Sequence, residues 1–498
     1  MKRFSNAPGA VNKWLVTATI MTGTLIAVID TSIVNVAIPK IQADFSASID
    51  QVSAVATFYI ISNIVVMPLT GYLSALLGRK RFYAGAIALF TLASLLCGIA
   101  WNLSSLVGFR ILQGLAGGAL LPSAQAILFE TFPKEEHGKA MGLFGLGVVV
   151  GPAIGPVLGG YLTDTVGWRS IFTINLLPGI LAVFMVLRYI HNPSYLKKPE
   201  GKFDFPGLAT LVIGLASCQY ALENGQRLGW FNSGVIIFLT LLGVVNLAYL
   251  VRRELVIPNP VVDLSVFSNR TFTAGNIIGA LAGFNLYGVL FVLPVFMSQI
   301  LHFNTTQIGL ALMPGALSTA FIMPIAGRLA DRFDPRIPLG VGITIFVIAT
   351  WQFSYLNSYS GYWDLFWPQV WRGLAIGLIF VPLSTATLGS ISRAKTASAS
   401  GLYNLVRQLG GSLGIALLTL MLQYMETFHM QKLASANLRN IPNEAIATLS
   451  DTVHQQAAVL AYDGLFRYSA LIFATAYLPL LFLKVTRTSP QQASTPLE

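Results

Sequence analysis

Two residues in this chain carry charge where charge is expensive. Asp30 stands inside the apolar run from Trp14 to Pro39, and Arg110 inside a later run at about 105–129. Counted from Trp14 at about 1.5 Å per helical residue, Asp30 lies roughly 24 Å along its helix. The run continues past it through Ile33, Val34, Val36, Ala37 and Ile38. A carboxylate at that depth costs several kcal/mol unless it is protonated, paired or wetted. Arg110, counted from Ser104, sits about 9 Å in from the outer end of its helix, a depth similar to that of Asp30. Arginine keeps its proton, so it needs a counter-ion or a wet cavity. Pairing favours the carboxylate while drying favours the acid, and such opposed pulls are what a proton-coupled switch requires. A static ion pair that only orients two helices is the alternative.

The elements that must position this pair are membrane spans. Of 498 residues, 54% are hydrophobic and 10% charged, against roughly a quarter charged in soluble domains. Continuous apolar runs of helix length select a helical bundle over a barrel. Thirteen runs follow the first, ending near 464–483, so the expectation is an all-α integral membrane protein with about 14 transmembrane helices. Basic residues alternate between loops: 22 of the 31 fall on one side and 6 on the other, while Arg110, Arg372 and Arg407 lie inside helices. The positive-inside rule then places both termini in the cytoplasm. Spread in this way, the net charge of +11 does not point to nucleic acid. The first run reads as a retained span rather than a signal peptide. Cys97 and Cys218 stand in separate apolar runs and read as small buried filler.

The chain repeats itself. Met67-Pro68-Leu69-Thr70-Gly71 returns as Met323-Pro324-Ile325-Ala326-Gly327, at an offset of 256. Asp30 and Pro39 fall on Asn285 and Pro294 at 255, and Gly114 and Gly151 on Gly373 and Gly410 at 259. The repeat implies a six-helix half at 1–190, two inserted helices with linkers at 191–270, and a second six-helix half at 271–498. Two parallel halves of this kind place a substrate site between them near the midplane. Depth and repeat position nominate Asn35, Tyr59, Gln113, Asn285, Tyr287, Phe291, Gln369 and Arg372 to line it, with Arg372 and Arg407 able to hold an anionic head.

Other motifs concern movement. Gly147-x-x-x-Gly151-Pro152-x-x-Gly155-Pro156 allows close helix approach and a bend, and is expected to flex at the interface between the halves. The basic turn at Gly78 and Arg79 is repeated with added acids at Asp331 and Arg332. Positive-inside topology alone also accounts for the basic turn. Gly410-Gly-Ser412-Leu-Gly414 fits a hydrolase elbow in letters only, since it lies in an apolar helix. No Walker A loop, H-E-x-x-H or paired acidic cluster occurs. The expectation is no enzyme activity, no cofactor and no metal. The stretch 425–463 reads as a long outer loop with an amphipathic helix through Ile446, Leu449, Val453, Ala457 and Leu460. That helix must bury its apolar stripe on the bilayer, on the chain's own rim or on a partner.

Taken together, Asp30-Thr-Ser-Ile-Val-Asn35-Val-Ala-Ile-Pro39, Arg110-x-x-Gln113-Gly114, the Gly151-Pro152 helix, Trp168 through Gly179, and Pro260-Val-Val-Asp263 resemble the major facilitator superfamily in its fourteen-helix drug:proton antiporter branch. The resemblance covers nearly the whole chain. It implies a proton-coupled exporter of hydrophobic or amphipathic small molecules that works by alternating access, with Asp30 and Arg110 handling the proton. It also implies a cell inner-membrane location, a periplasmic adaptor of the EmrA kind and an outer-membrane channel of the TolC kind. One position departs: where that superfamily's cytoplasmic loop carries Asp, this chain has Ala75, while the second copy keeps Asp331. A dedicated exporter of fatty acids or siderophores, and a membrane sensor without turnover, remain alternatives.

Overall fold

In the computed structural model, residues 12–193, 195, 196, 198, 203–437 and 446–484 are described. These residues form helices and, among them, no strand. Fourteen helices are long and apolar enough to cross a membrane. The first half holds α1 (Lys13–Asp44), α2 (Asp50–Leu77), α3 (Arg79–Gly98), α4 (Leu103–Thr131), α5 (Lys134–Thr165) and α6 (Ser170–Tyr189). The inserted pair is α7 (Phe205–Leu228) and α8 (Gly234–Glu254). The second half holds α9 (Arg270–Gln299), α10 (Thr305–Arg332), α11 (Arg336–Tyr355), α12 (Tyr362–Gly389), α13 (Arg393–Leu433) and α14 (Val453–Leu480).

The chain enters α1 on a near side, at Lys13, and leaves on a far side, at Asp44. Ion pairs between α1 and the α5 region respect those two sides. Lys13 pairs with Glu136 on the near side, and Arg169 with Asp44 on the far side. Polar residues define where the spans begin. Ser48 with Gln51, Asn102 with Ser105, and Asn304 with Gln307 form reciprocal capping boxes that satisfy otherwise orphaned N–H groups. Gly78, at φ +84°, makes the turn between α2 and α3 that a side chain would strain.

Within each half, glycines let backbones touch. Gly114 and Gly118 of α4 lie against the Tyr59 and Asn63 backbones of α2. Their repeats, Gly373 and Gly377 of α12, lie against Gly315 and Ile322 of α10. In a bilayer, where apolar burial gives no drive for helix pairing, such close approach is the main source of attraction. The inserted helices pack on each other at Gly214 and Gly243, and α7 docks on both halves, with Phe58 against Tyr220 and Gln219 donating to Ser412. The outer face of α8 (Phe238, Leu241, Val244, Val245) is left exposed, as suits a lipid-facing surface. Cys218, expected to be buried filler, is only half-buried, against Gly243.

α5 changes partner along its length. Its near-side glycines, Gly138, Gly142 and Gly145, meet Gly327 and Met323 of the opposite half. Its far-side glycines, Gly147, Gly151, Gly155 and Gly159, meet Met21, Val28, Ser32 and Ile33 of α1. The glycine–proline motif therefore seals α5 to α1, inside one half, rather than lying between the halves as its sequence suggested. Pro152 and Pro156 point away from that seam and are exposed.

On the near side the halves are clasped. Asp331 accepts hydrogen bonds from the Gly138 and Lys139 amides, at 2.6 and 3.0 Å, in the first turn of α5. A carboxylate there caps free N–H groups at the positive end of a helix. Ala75 occupies the equivalent place on α2. On that side Lys395 at the start of α13 instead pairs with Asp263 of the linker after α8, at 3.0 Å. Deeper in, Ser400 and Asn404 of α13 both donate to Gln125 of α4.

The stretch read as an outer loop at 425–463 is helical over its described part. The α13 helix runs on to Asn437, and the α14 helix begins at Ile446. Side chains 434–452 lie outside the described set, so of the expected apolar stripe only Val453, Ala457 and Leu460 are placed. Ala457 is fully buried, Val453 half-buried and Leu460 exposed.

Candidate functional site

The pair singled out by its cost is brought together. Arg110 Nη1 lies 2.6 Å from Asp30 Oδ2, with both side chains sealed from the surface. Four helices build the shell around them. Gln113 Nε2, one turn after Arg110 on α4, donates to Asp30 Oδ1 at 2.9 Å, and Asn175 Nδ2 of α6 donates to the same oxygen at 2.9 Å. Ser94 of α3 accepts from Gln113 at 2.7 Å and from Asn175 at 3.4 Å. Asp30 thus receives one guanidinium and two amide donors, a set that suits an ionised carboxylate.

Arg110 has further partners. Its Nη1 donates to Gln113 Oε1 at 2.6 Å and its Nε to the Val55 carbonyl at 3.3 Å. The guanidinium lies over the Tyr59 ring, 3.9 Å from its centroid, and within 5.7 Å of the Phe172 centroid. Stacking of this kind holds the planar cation independently of its ion pair. Arg110 therefore has supports on α2 and α4 besides Asp30. Chemically, the cluster is one acid with a fixed cation beside it and amide relays behind.

A model of the Major Facilitator Superfamily matches residues 20–415. The chain belongs to that superfamily. This superfamily member is 34% identical over 460 residues to the fatty acid resistance protein FarB of Neisseria gonorrhoeae, covering 92% of this chain and 88% of that protein. It is 35% identical over 422 residues to the multidrug export protein EmrB of Haemophilus influenzae, covering 84% and 82%. To EmrB of Escherichia coli K12 it is 31% identical, covering 92% and 93%. Among solved structures, the human organic anion transporter MFSD10 superposes with a TM-score of 0.65 at 14% identity, covering 95% of this chain and 99% of that one. The proton:xylose symporter XylE gives 0.58 at 15% identity, covering 92% and 94%. These likenesses place the helices in the superfamily fold. The chain is a multi-pass membrane protein, a transporter rather than an enzyme.

The transporter's other nominated residues separate into groups. Tyr59 and Gln113 belong to the Asp30 cluster rather than to a pocket wall. Asn35 and Phe291 are exposed, each on a different face of its helix from Asp30 or Asn285. Tyr287 packs against Gly411. Asn285 is sealed and accepts from Ser469 at 2.6 Å, while donating to the Leu281 carbonyl at 3.1 Å. Gln369 and Arg372 are buried on α12, and Arg407 on α13 donates to Asn404 at 3.2 Å and lies over Phe380. Arg79 is buried beside Glu130 at 2.7 Å, and Arg332 is exposed at the near end of α10.

Asn175, Ser94 and Phe172 join the cluster without having been nominated. Asn175 and Phe172 fall inside the Trp168–Gly179 phrase, where an amide reads as a turn residue. Ser94 carries no charge to mark it. Cys97, expected to be filler, lies in the same shell, 3.7 Å from Gln113 Oε1.

Proposed function

We propose that this chain is a proton-coupled antiporter that exports hydrophobic or amphipathic small molecules by alternating access between its two six-helix halves. The observation that carries the reading is the sealed Asp30–Arg110 pair with its amide shell. An intramembrane acid that can exchange a fixed cation for a proton is a coupling element. Protonation removes the charge that Arg110 faces, and the cation then rests on Val55, Gln113 and Tyr59. The export direction follows relatives named for multidrug export and fatty acid resistance.

The near side is cytoplasmic on the positive-inside reading, and the membrane is the inner one. With the halves clasped at Asp331, Gly138 and Gln125 on that side, the arrangement suits the outward-facing part of the cycle. The helical arm formed by the far ends of α13 and α14 is suited to a periplasmic adaptor of the EmrA kind, feeding a channel of the TolC kind. Co-purification with such an adaptor checks this part.

Reconstitution into liposomes under an imposed pH gradient tests the whole. Substrate should move against the proton flux, and internal pH should change in step with it. Substrate movement that ignores the gradient would sink the antiporter reading, as would binding with no movement at all.

A further inference from the structure

The inserted helix α7 carries an acid inside the membrane that the Asp30 cluster does not use. Glu223 stands five residues before Leu228, roughly 7.5 Å in from the far end of its span. No charged residue stands in 51–78 of α2, in 205–222 of α7 or in 408–425 of α13. The next cation along α7, Arg227, is already engaged: it pairs with Asp50 at 3.1 Å and donates to Asn224 at 3.0 Å. Among the described residues, Glu223 forms no ion pair.

The neighbours of this carboxylate come from both halves. Gln219, one turn earlier and fully buried, donates through Nε2 to Glu223 Oε1 at 2.8 Å and to Ser412 Oγ of α13 at 2.8 Å. The Thr57 side chain of α2 hydrogen-bonds to Glu223 as well. The other end of the same carboxamide, Gln219 Oε1, is buried and has no donor. Tyr220 and Phe58, next in the chain after Gln219 and Thr57, bring their rings to 6.5 Å between centroids. Where α7 bridges α2 and α13, the protein therefore gathers a carboxylate, an amide oxygen without a donor and two aromatic rings. It supplies no cation to them.

An intramembrane carboxylate is costly unless it is protonated or paired. What this seam lacks is a donor that also carries positive charge. We propose that Glu223 and Gln219 form a site for an N–H-bearing ammonium head on an apolar chain, whether of an amphipathic amine or of an aminophospholipid. The charge answers the carboxylate, an N–H reaches the orphaned amide oxygen, and the rings of Tyr220 and Phe58 offer their faces to the cation. The site lies within a membrane span, so the rest of the ligand must be apolar. As a place for cargo the site rests on the antiporter reading and adds to it the charge of the cargo.

The test measures equilibrium binding of decylammonium, decyltrimethylammonium and decanol to the full-length protein in phosphatidylcholine nanodiscs, with empty discs as the blank. Wild type should bind decylammonium about tenfold or more tighter than decanol, the worth of a charged hydrogen bond. It should also bind decylammonium tighter than the trimethyl head, which has no N–H to give. Glu223→Gln should erase the preference over decanol, and Gln219→Leu should narrow the preference over the trimethyl head. Equal affinities in the wild type would overturn the assignment, as would either preference surviving in full in its variant. Glu223 would then be a neutral acid that only staples α7 to α2. If Glu223→Gln does not survive purification, Glu223→Asp should weaken decylammonium and spare decanol, and no change there would equally overturn the site. Adding phosphatidylethanolamine to the discs tells the two sources apart: competition with decylammonium assigns the head to a lipid, and undiminished binding assigns it to a free amine. Since binding is read at equilibrium, an ammonium preference without gradient-driven efflux would remove the antiporter reading and leave the site standing.

Discussion

Set side by side, the equivalent positions of the two halves have been put to opposite uses. In the first half Asp30, Arg110, Gln113 and Asn175 close on one another, and the buried charges sum to zero. In the second, Asn285 has turned to Ser469, and Gln369 and Arg372 keep buried polar atoms without hydrogen-bond partners. The helices are related by one repeat and the packing glycines recur at matching positions. At these positions the difference lies in the side chains. A common scaffold can hold one self-sufficient polar cluster and one that is incomplete. The complete one suits an internal reaction such as proton exchange.

The sharpest way to break this comparison is to make the two acid positions alike. Asp30→Asn should abolish gradient-driven efflux while the protein still inserts and folds, because an amide keeps the shape but not the titration. Asn285→Ala should leave coupling intact, losing two neutral hydrogen bonds of about 1 kcal/mol each. The ratio of substrate moved to protons taken up, measured in liposomes, distinguishes the two variants.

Thermal melts of the purified protein give the next largest contrast. Arg110→Gln strands Asp30 without its cation and should cost about 3–5 kcal/mol. Arg372→Gln removes a cation that forms no ion pair among the described residues, so its melting temperature should hold steady or rise. Equal losses in both variants would mean that the halves are not differently completed.

The smallest effect comes from a pair at the end of the bundle, in which Asp204 is buried and Arg253 partly exposed. Asp204, just before α7, accepts from Arg253 at 2.8–3.1 Å and from the Gly207 amide, and the Arg253 guanidinium holds its carboxyl below the usual carboxylate range. A lowered folded value means that this contribution is complete at neutral pH and is lost as pH falls through it. The difference in melting temperature between wild type and Arg253→Ala should stay constant from pH 7 to about 5 and shrink below about 4.

Much of this organisation is legible before any fold is known, because the bilayer makes errors expensive. Asp30 and Arg110 announce themselves as charges inside apolar runs, and the fourteen spans as runs that cannot be soluble. The pocket residues were harder, because depth along a helix says nothing about its face. Asn35 follows Asp30 by five residues, which at about 100° each turns it some 140° away. Asn175 and Ser94 were missed since small neutral side chains carry no burial cost large enough to stand out. They matter only once α3 and α6 are packed against α1. Within 425–463 the helical spacing through Ile446, Val453 and Leu460 is legible and the helix from Ile446 follows it. The run of α13 on to Asn437 is not, because polar residues there no longer mark the helix end by hydrophobicity.

The uncompensated guanidiniums of the second half have an electrical consequence. If the Asp30 cluster handles the proton as proposed, it is neutral when Asp30 is ionised. Arg372 and Arg407, by contrast, form no ion pair among the described residues, so the second half carries net positive charge among its buried groups. Moving one elementary charge through the full field is worth about 2.3 kcal/mol per 100 mV. An inside-negative membrane potential therefore draws the second half's charge inward. On the antiporter reading the return step carries the proton, which leaves Arg110 without its counter-charge, so that step should feel voltage more strongly than the step that carries cargo, and resting potential would act on the cycle alongside the pH gradient.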